Sequence, residues 1–247
     1  IVFCLWGGFL AAALAGFAAV HFGARTAAFV GALAVTDPFL IHYSIVPYQE
    51  PVAYSLVALA FILVFQERIG AASLALAAAT LARYEAWLFL PAFLWMNRGR
   101  ARAWAAGLPP LVWLAVWQGL APSGLYVLDI DPAAPRGPRL VFLAKKFAEY
   151  EPVLLWLAVL GAIVAFRFRS RALARVLAVV GLAFAVIVGF GHEFPPGSGQ
   201  MSERLLHLPL LVALLLAGHL LARVREGGRA VRVAVVGVMG LLTVGKV

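Results

Sequence analysis

Three short stretches hold most of the side chains in this sequence that are able to do chemistry. The first runs Tyr43-Ser44-Ile45-Val46-Pro47-Tyr48-Gln49-Glu50-Pro51, with Asp37-Pro38 and His42 just before it. Its prolines stop helices and shape a fixed loop. Glu50 stands in the first turn of the helix that starts at Pro51. A carboxylate there either complements the helix dipole or lines a cavity, where it holds a metal or a substrate hydroxyl. Asp37 reads as a helix cap or as a second cavity carboxylate. The second stretch is Arg83-Tyr84-Glu85. An arginine at the end of a short alanine-rich helix offers a planar fork to a phosphate. It serves equally as the partner of Glu85 or Glu50 in an internal ion pair.

The third stretch is Gly191-His192-Glu193, followed by Ser202-Glu203-Arg204-Leu205-Leu206-His207. His192 and Glu193 are candidate substrate ligands. Arg204 begins a helix, where the dipole disfavours a cation, so it asks for an anionic partner. The plainer alternative is a solvated loop with one snorkelling arginine. His207 and His219 read as packing or interfacial residues. Asp129-Ile130-Asp131 has a spacing that can hold a divalent metal, but Pro132, Pro135 and Pro138 follow it and favour a turn. No GxGxxG, P-loop, HExxH or CxxC occurs, so nucleotide and zinc chemistry lack support. The one cysteine, Cys4, lies in an apolar run and has no partner.

The elements that must position these residues are apolar. The 247 residues are 64% hydrophobic and only 13% charged, with mean hydropathy +0.96. A water-soluble domain of this size needs far more surface charge. Crossing a hydrocarbon core of roughly 30 Å takes about 20 apolar residues. The apolar runs are Ile1–Val20, Ala27–Val35 extending towards Ile41, Val52–Phe65, Ala71–Ala82, Ala86–Met96, Trp104–Ala121, Pro152–Phe166, Val176–Phe190, Leu205–Leu221 and Val233–Val244. Alanine and leucine dominate them, which predicts helices and not barrel strands. The expectation is an all-α polytopic transmembrane helix bundle of about nine or ten segments, some short or broken, forming a single domain over 1–247. The stretch Leu140–Tyr150 carries Lys145 and Lys146 and reads as an amphipathic helix on the membrane surface.

The formal charge of +9 does not point to nucleic acid. The arginines sit in short clusters between apolar runs: Arg98/Arg100/Arg102, Arg167/Arg169/Arg171/Arg175 and Arg223/Arg225/Arg229/Arg232. That is the positive-inside pattern of a multi-pass protein. Placing all three clusters in the cytoplasm fixes the parity of the runs. Arg68 and Arg25 join them if Ala71–Ala82 and Ala86–Met96 form two short legs that turn at Arg83-Tyr84-Glu85. One unbroken helix instead buries Arg83 and Glu85 mid-membrane, at about 2.5–3.5 kcal/mol per charge. The two legs span only about 18 Å each at about 1.5 Å per residue, so the turn lies below the outer headgroups in a protein-lined cavity. Nine of the eleven acids then fall outside, leaving only Glu67 and Glu226 inside. Acids contribute little to orientation, so their bias marks the outer face as the place of chemistry. The same parity puts Ile1 outside, so the chain reads as a fragment that lacks one upstream helix and the outer loop after it.

On the stretch Tyr43 to Pro51, on Ala71-Ala72-Ser73-Leu74-Ala75-Leu76 through Leu81-Ala82-Arg83-Tyr84-Glu85-Ala86, and on Arg204-Leu205-Leu206-His207-Leu208-Pro209, the chain resembles the GT-C glycosyltransferases. These are multi-pass enzymes that use polyprenyl-phosphate-linked sugars, and the likeness is to their protein mannosyltransferase and lipid A aminoarabinose transferase group. The resemblance implies that Glu50 and Arg83 face the lipid-phosphate cavity and that Arg204 is an outer basic residue. It places the family's catalytic aspartate in the outer loop after the first helix, which would lie upstream of Ile1, so the catalytic base is expected outside this sequence.

The expected function is therefore an integral-membrane glycosyltransferase of a prokaryotic plasma membrane. It would take a sugar from a polyprenyl-phosphate donor to an acceptor that the sequence does not identify, at the extracytoplasmic face. Its expected substrate-binding residues are Glu50, Arg83, Glu85, His192 and Arg204. A divalent metal is the one candidate cofactor, and membrane lipid is the expected surrounding. The alternatives are a multi-pass transporter or lipid flippase, in which the same charges line a path, and a non-catalytic scaffold subunit. No inverted repeat supports the transporter.

Overall fold

The computed structural model describes residues 2–45, 49–120, 136–167, 171–190 and 206–224, with the single positions 229, 232, 233 and 237. Among the described residues the chain is helical, with no strand. The helices are α1 (Val2–Phe22), α2 (Ala24–Thr36), α3 (Pro38–Ile45), α4 (Glu50–Phe65), α5 (Ile69–Ala82), α6 (Leu90–Met96), α7 (Leu108–Leu120), α8 (Arg136–Tyr150), α9 (Pro152–Arg167), α10 (Arg171–Phe190) and α11 (His207–Arg223). Short 3-10 turns, Tyr84–Phe89 and Ala101–Gly107, lead into α6 and α7. The run Val233–Val244 lies outside the described residues except for two isolated positions.

Leu5–Phe22 of α1 is long and apolar enough to cross a membrane. Two bent pairs pass the same test together. They are Ala24–Thr36 with Pro38–Ile45, bent by 58°, and Leu140–Tyr150 with Pro152–Phe166, bent by 110°. Among the described residues this makes one span, or up to three, against the nine or ten segments that hydropathy predicts. The difference is one of length. A 16-residue helix such as α4 reaches about 24 Å, short of a hydrocarbon core of about 30 Å. Composition tells more than length here. Leu5, Leu74, Leu81, Trp95, Trp104, Val141, Phe166 and Leu182 are each 65% exposed or more. Large apolar side chains spread over the outside of many helices are consistent with a lipid solvent.

The two ends of the bundle hold different sets of charged residues, with Glu67 beside Arg68 at one and Lys145 and Lys146 beside Glu149 at the other. The rings of His21 and Phe65 stand 5.4 Å apart and those of Phe22 and His219 5.9 Å, so α1, α4 and α11 end together. A Cβ built on Gly70 would lie 3.9 Å from Arg102 Cδ, which returns the chain after α6 to the start of α5. His21, Met96 and Arg175 line one cavity. Arg68, Arg102, Arg175 and Arg223 therefore share one end. Glu50, Glu85, Glu151 and Asp37 lie at the other, among the residues described below. The two legs that meet at Arg83 are thus present. Trp87 Nε1 donates a hydrogen bond to the Thr80 carbonyl at 2.9 Å across the turn. Phe61 of α4 meets Phe93 of α6 further down, at 6.3 Å.

α11 is the central helix, with Leu208, Leu210, Leu211, Leu214, Ala217 and Leu220 all buried. Its neighbours approach backbone to backbone where one side has no side chain. A Cβ on Gly161 of α9 would overlap the Leu216 carbonyl, and one on Gly218 would overlap Val30 of α2. Gly181 on α10 has nothing within 4 Å of that position. Gly161→Ala is therefore expected to lower stability by roughly 1–3 kcal/mol through overpacking. Gly181→Ala is expected to leave it unchanged or slightly raised, because alanine is the better helix former. Thermal unfolding of the two purified variants in one detergent checks this, and equal melting temperatures would contradict the close α9–α11 approach.

Candidate functional site

The site is built where two helices stop. α4 begins at Glu50 with Pro51 in its first turn, which suits a proline because that N–H has no intrahelical acceptor. α5 ends at Ala82, and Arg83 leaves the helix with extended backbone, φ −151° and ψ 138°. A rod continued through this point would carry the guanidinium along the apolar face of α5. The break instead swings it toward the start of α4. Glu85 sits in the first turn of the following 3-10 segment, with one turn of chain holding it below Arg83.

These three residues form one cluster. Arg83 Nε donates to Glu85 Oε2 at 2.9 Å, and Arg83 Nη2 donates to Glu85 Oε1. This is the bidentate fork that a guanidinium prefers. The same Nη2 lies 3.4 Å from Glu50 Oε1. Glu50 and Glu85 are each 2% exposed, while the Arg83 side chain keeps 19%. Arg83 also stands 5.6 Å over the ring of Tyr84. The cluster holds two carboxylates against one guanidinium. Neither oxygen of Glu50 has a hydrogen-bond partner among the described residues. A buried carboxylate normally collects several such bonds, so Glu50 is the under-satisfied member.

A cavity of about 270 Å³ opens beside the cluster, lined by Gln49, Thr80, Arg83, Tyr84, Trp87, Trp113 and their neighbours. On the other side Tyr54, one turn after Glu50, is buried and stacks toward His207 at 6.3 Å. His207 is 0% exposed, with Tyr43 at 4.5 Å and Phe39 at 5.0 Å. Phe39, His42 and Tyr43 in turn border a second cavity of about 290 Å³, closed by Tyr150 and Glu151. Asp37 is buried between α2 and α3 and accepts the Leu40 N–H at 2.8 Å, so it acts as the cap of α3.

Three of the five residues expected to bind substrate, Glu50, Arg83 and Glu85, are thus brought together. His192 and Arg204 lie outside the described residues, as do Glu193, Glu203, Asp129 and Asp131. Tyr54 and His207 were not among the expected site residues. The i, i+4 spacing from Glu50 puts Tyr54 on the same helix face and is a signal that reveals it. His207 reads locally as a packing residue, and only the meeting of α11 with α3 and α4 brings it here. No three of His, Cys, Asp and Glu are grouped so as to hold a metal ion among the described residues. Compared with models of protein families, with characterised proteins and with solved structures, the chain has no match.

Proposed function

We propose that this chain is a multi-pass membrane glycosyltransferase that takes a sugar from a polyprenyl-phosphate donor to an acceptor at the extracytoplasmic face. The observation that carries the reading is the Arg83 fork. It is presented at a helix break beside a cavity, at the end of the bundle opposite Arg68, Arg102, Arg175 and Arg223. In the reaction the bond from the anomeric carbon to the phosphate oxygen breaks, a bond from that carbon to the acceptor oxygen forms, and the acceptor's proton passes to a carboxylate base, which the family resemblance places in the outer loop after the first helix. The transition state carries oxocarbenium character, as in glycoside chemistry generally. Negative charge collects on the departing lipid phosphate, and a preorganised cation aimed at it supplies the stabilisation. The carboxylate that now occupies the Arg83 fork has the geometry a phosphate would take, so the donor displaces Glu85 when it binds.

The charge count adds a condition. Two buried carboxylates and one guanidinium leave an excess anion before any phosphate arrives. A divalent cation fits this set, because such ions are commonly held by one or two carboxylates plus substrate phosphates and water. Glu50, whose oxygens accept no hydrogen bond among the described residues, and Glu85 once displaced are the residues that would hold it. It would supply charge neutralisation at the phosphate. Arg204 and His192 remain the sequence's further candidates for the same anion. The test is direct. Membranes that carry the full-length protein are supplied with a polyprenyl-phosphate-linked sugar and an acceptor extract, and free polyprenyl phosphate is measured. Release above that of empty membranes is the expected result. Movement of intact donor between leaflets without cleavage would instead identify a flippase.

A further inference from the structure

We infer that the arginine-rich end of the bundle holds a built site for an anionic glycerophospholipid, with its phosphate on Arg175 and one acyl chain inside the bundle. The inference rests on a membrane setting for the chain and not on sugar transfer. A cavity of about 190 Å³, almost wholly apolar, runs between α1, α4, α6, α10 and α11. Its lining includes Tyr54, Phe61 and Leu211 along its length and His21, Met96 and Arg175 toward one end. His21 and Met96 are the closing residues of α1 and α6, so that end is the basic one. Arg175 is exposed. His21 is half-buried, and its buried Nε2 has no hydrogen-bond partner among the described residues.

This combination is specific. An apolar cavity between helices accepts a hydrocarbon chain. The Arg175 guanidinium on its lining accepts a phosphate, and His21, which lines the same cavity with an under-satisfied Nε2, offers a hydrogen bond to a phosphate or glycerol oxygen. Basic pockets between membrane helices on the cytoplasmic side recognise anionic headgroups in this way, and that leaflet is the anionic one. The charge decides the occupant's orientation. A polyprenyl-phosphate donor serving the Arg83 site would place its phosphate at the opposite end of the bundle.

The full chain, purified in a neutral detergent, is titrated with phosphatidylglycerol or with phosphatidylcholine of the same acyl chains. Retained lipid is counted by native mass spectrometry. Phosphatidylglycerol is expected to be retained at least roughly tenfold better. Arg175→Gln is expected to remove roughly that tenfold preference. Arg98→Gln, which alters an exposed arginine at the same end that lies over Trp95 and outside the cavity, is expected to leave it intact. Ala58→Phe fills the cavity from α4 with Arg175 untouched and is expected to lose the bound lipid. Arg175 lies on the surface, so its replacement keeps the test valid however Ala58→Phe folds. Equal retention of the two lipids, equal effects of the two arginine variants, or Arg175-dependent retention of polyprenyl phosphate in preference to phosphatidylglycerol would each overturn the inference.

Discussion

Arg83→Lys is expected to cut release of polyprenyl phosphate by about a hundredfold or more while leaving the chain folded, at a stability cost of about 1–3 kcal/mol. The two effects separate because lysine keeps the charge and loses the fork. Glu85 and Glu50 still face a cation, so the buried carboxylates are not stranded. A point charge on a flexible stem cannot present two parallel N–H donors to a phosphate. Loss of one preorganised donor at a developing oxyanion costs about 10² to 10³ in rate, and the lysine variant loses that geometry. Arg83→Ala is the weaker experiment. It leaves two buried carboxylates without a cation, and breaking a buried pair costs about 3–5 kcal/mol, so lost activity would merely report lost fold. Donor-dependent release is measured for the wild type and Arg83→Lys at equal folded protein. Full activity in Arg83→Lys would remove Arg83 from the phosphate site and leave it a structural ion-pair residue.

Much of this arrangement is legible in the sequence, and the reasons are local. A charge in mid-membrane is costly, so the sequence predicts a break at Arg83-Tyr84-Glu85 between two apolar runs, and α5 does end there. Pro38 after Asp37 divides the second run in the same way, giving α2 and α3 with Asp37 as the cap. Less legible is the path after the turn. The run Ala86–Met96 opens as a 3-10 segment and becomes α-helical only at Leu90, where Pro91 fits the first turn. Which helix faces meet is not legible at all. α4 and α5 are apolar on every side, so no stripe marks the inward face. That is why His207 reads as packing from its neighbours, although its ring closes the aromatic wall next to Tyr54. Glu85 shows a further limit. Its type and position mark it as a site residue, but its grip on both Arg83 nitrogens follows from the extended backbone at Arg83, which spacing does not specify.

Glu50→Gln and Glu85→Gln are expected to move stability in opposite directions, although both remove a buried carboxylate from the same arginine. Glu85 accepts the Arg83 fork. Its neutral replacement keeps one acceptor and leaves Arg83 paired with Glu50 but loses the charge-assisted fork, with an expected loss of about 1.5–3 kcal/mol. Glu50 touches Arg83 only at 3.4 Å and accepts no hydrogen bond at either oxygen among the described residues. Burying such an anion is costly, and a neutral amide of the same shape costs less. Glu50→Gln is therefore expected to leave stability unchanged or to raise it by up to about 2 kcal/mol. If Glu50 serves only to balance Arg83, activity should follow stability and survive. On the proposed function it should not. A carboxylate kept buried with one ion-pair contact and no hydrogen bond, against its own stability, is the expected mark of a binding site, so release of polyprenyl phosphate should fall about tenfold or more in the more stable protein. Melting temperature and release are measured on the same preparations of both variants. A Glu50→Gln protein that is destabilised by more than about 2 kcal/mol, or that is as active as wild type, would show that Glu50 is structural and that the charge imbalance at Arg83 does not mark a ligand.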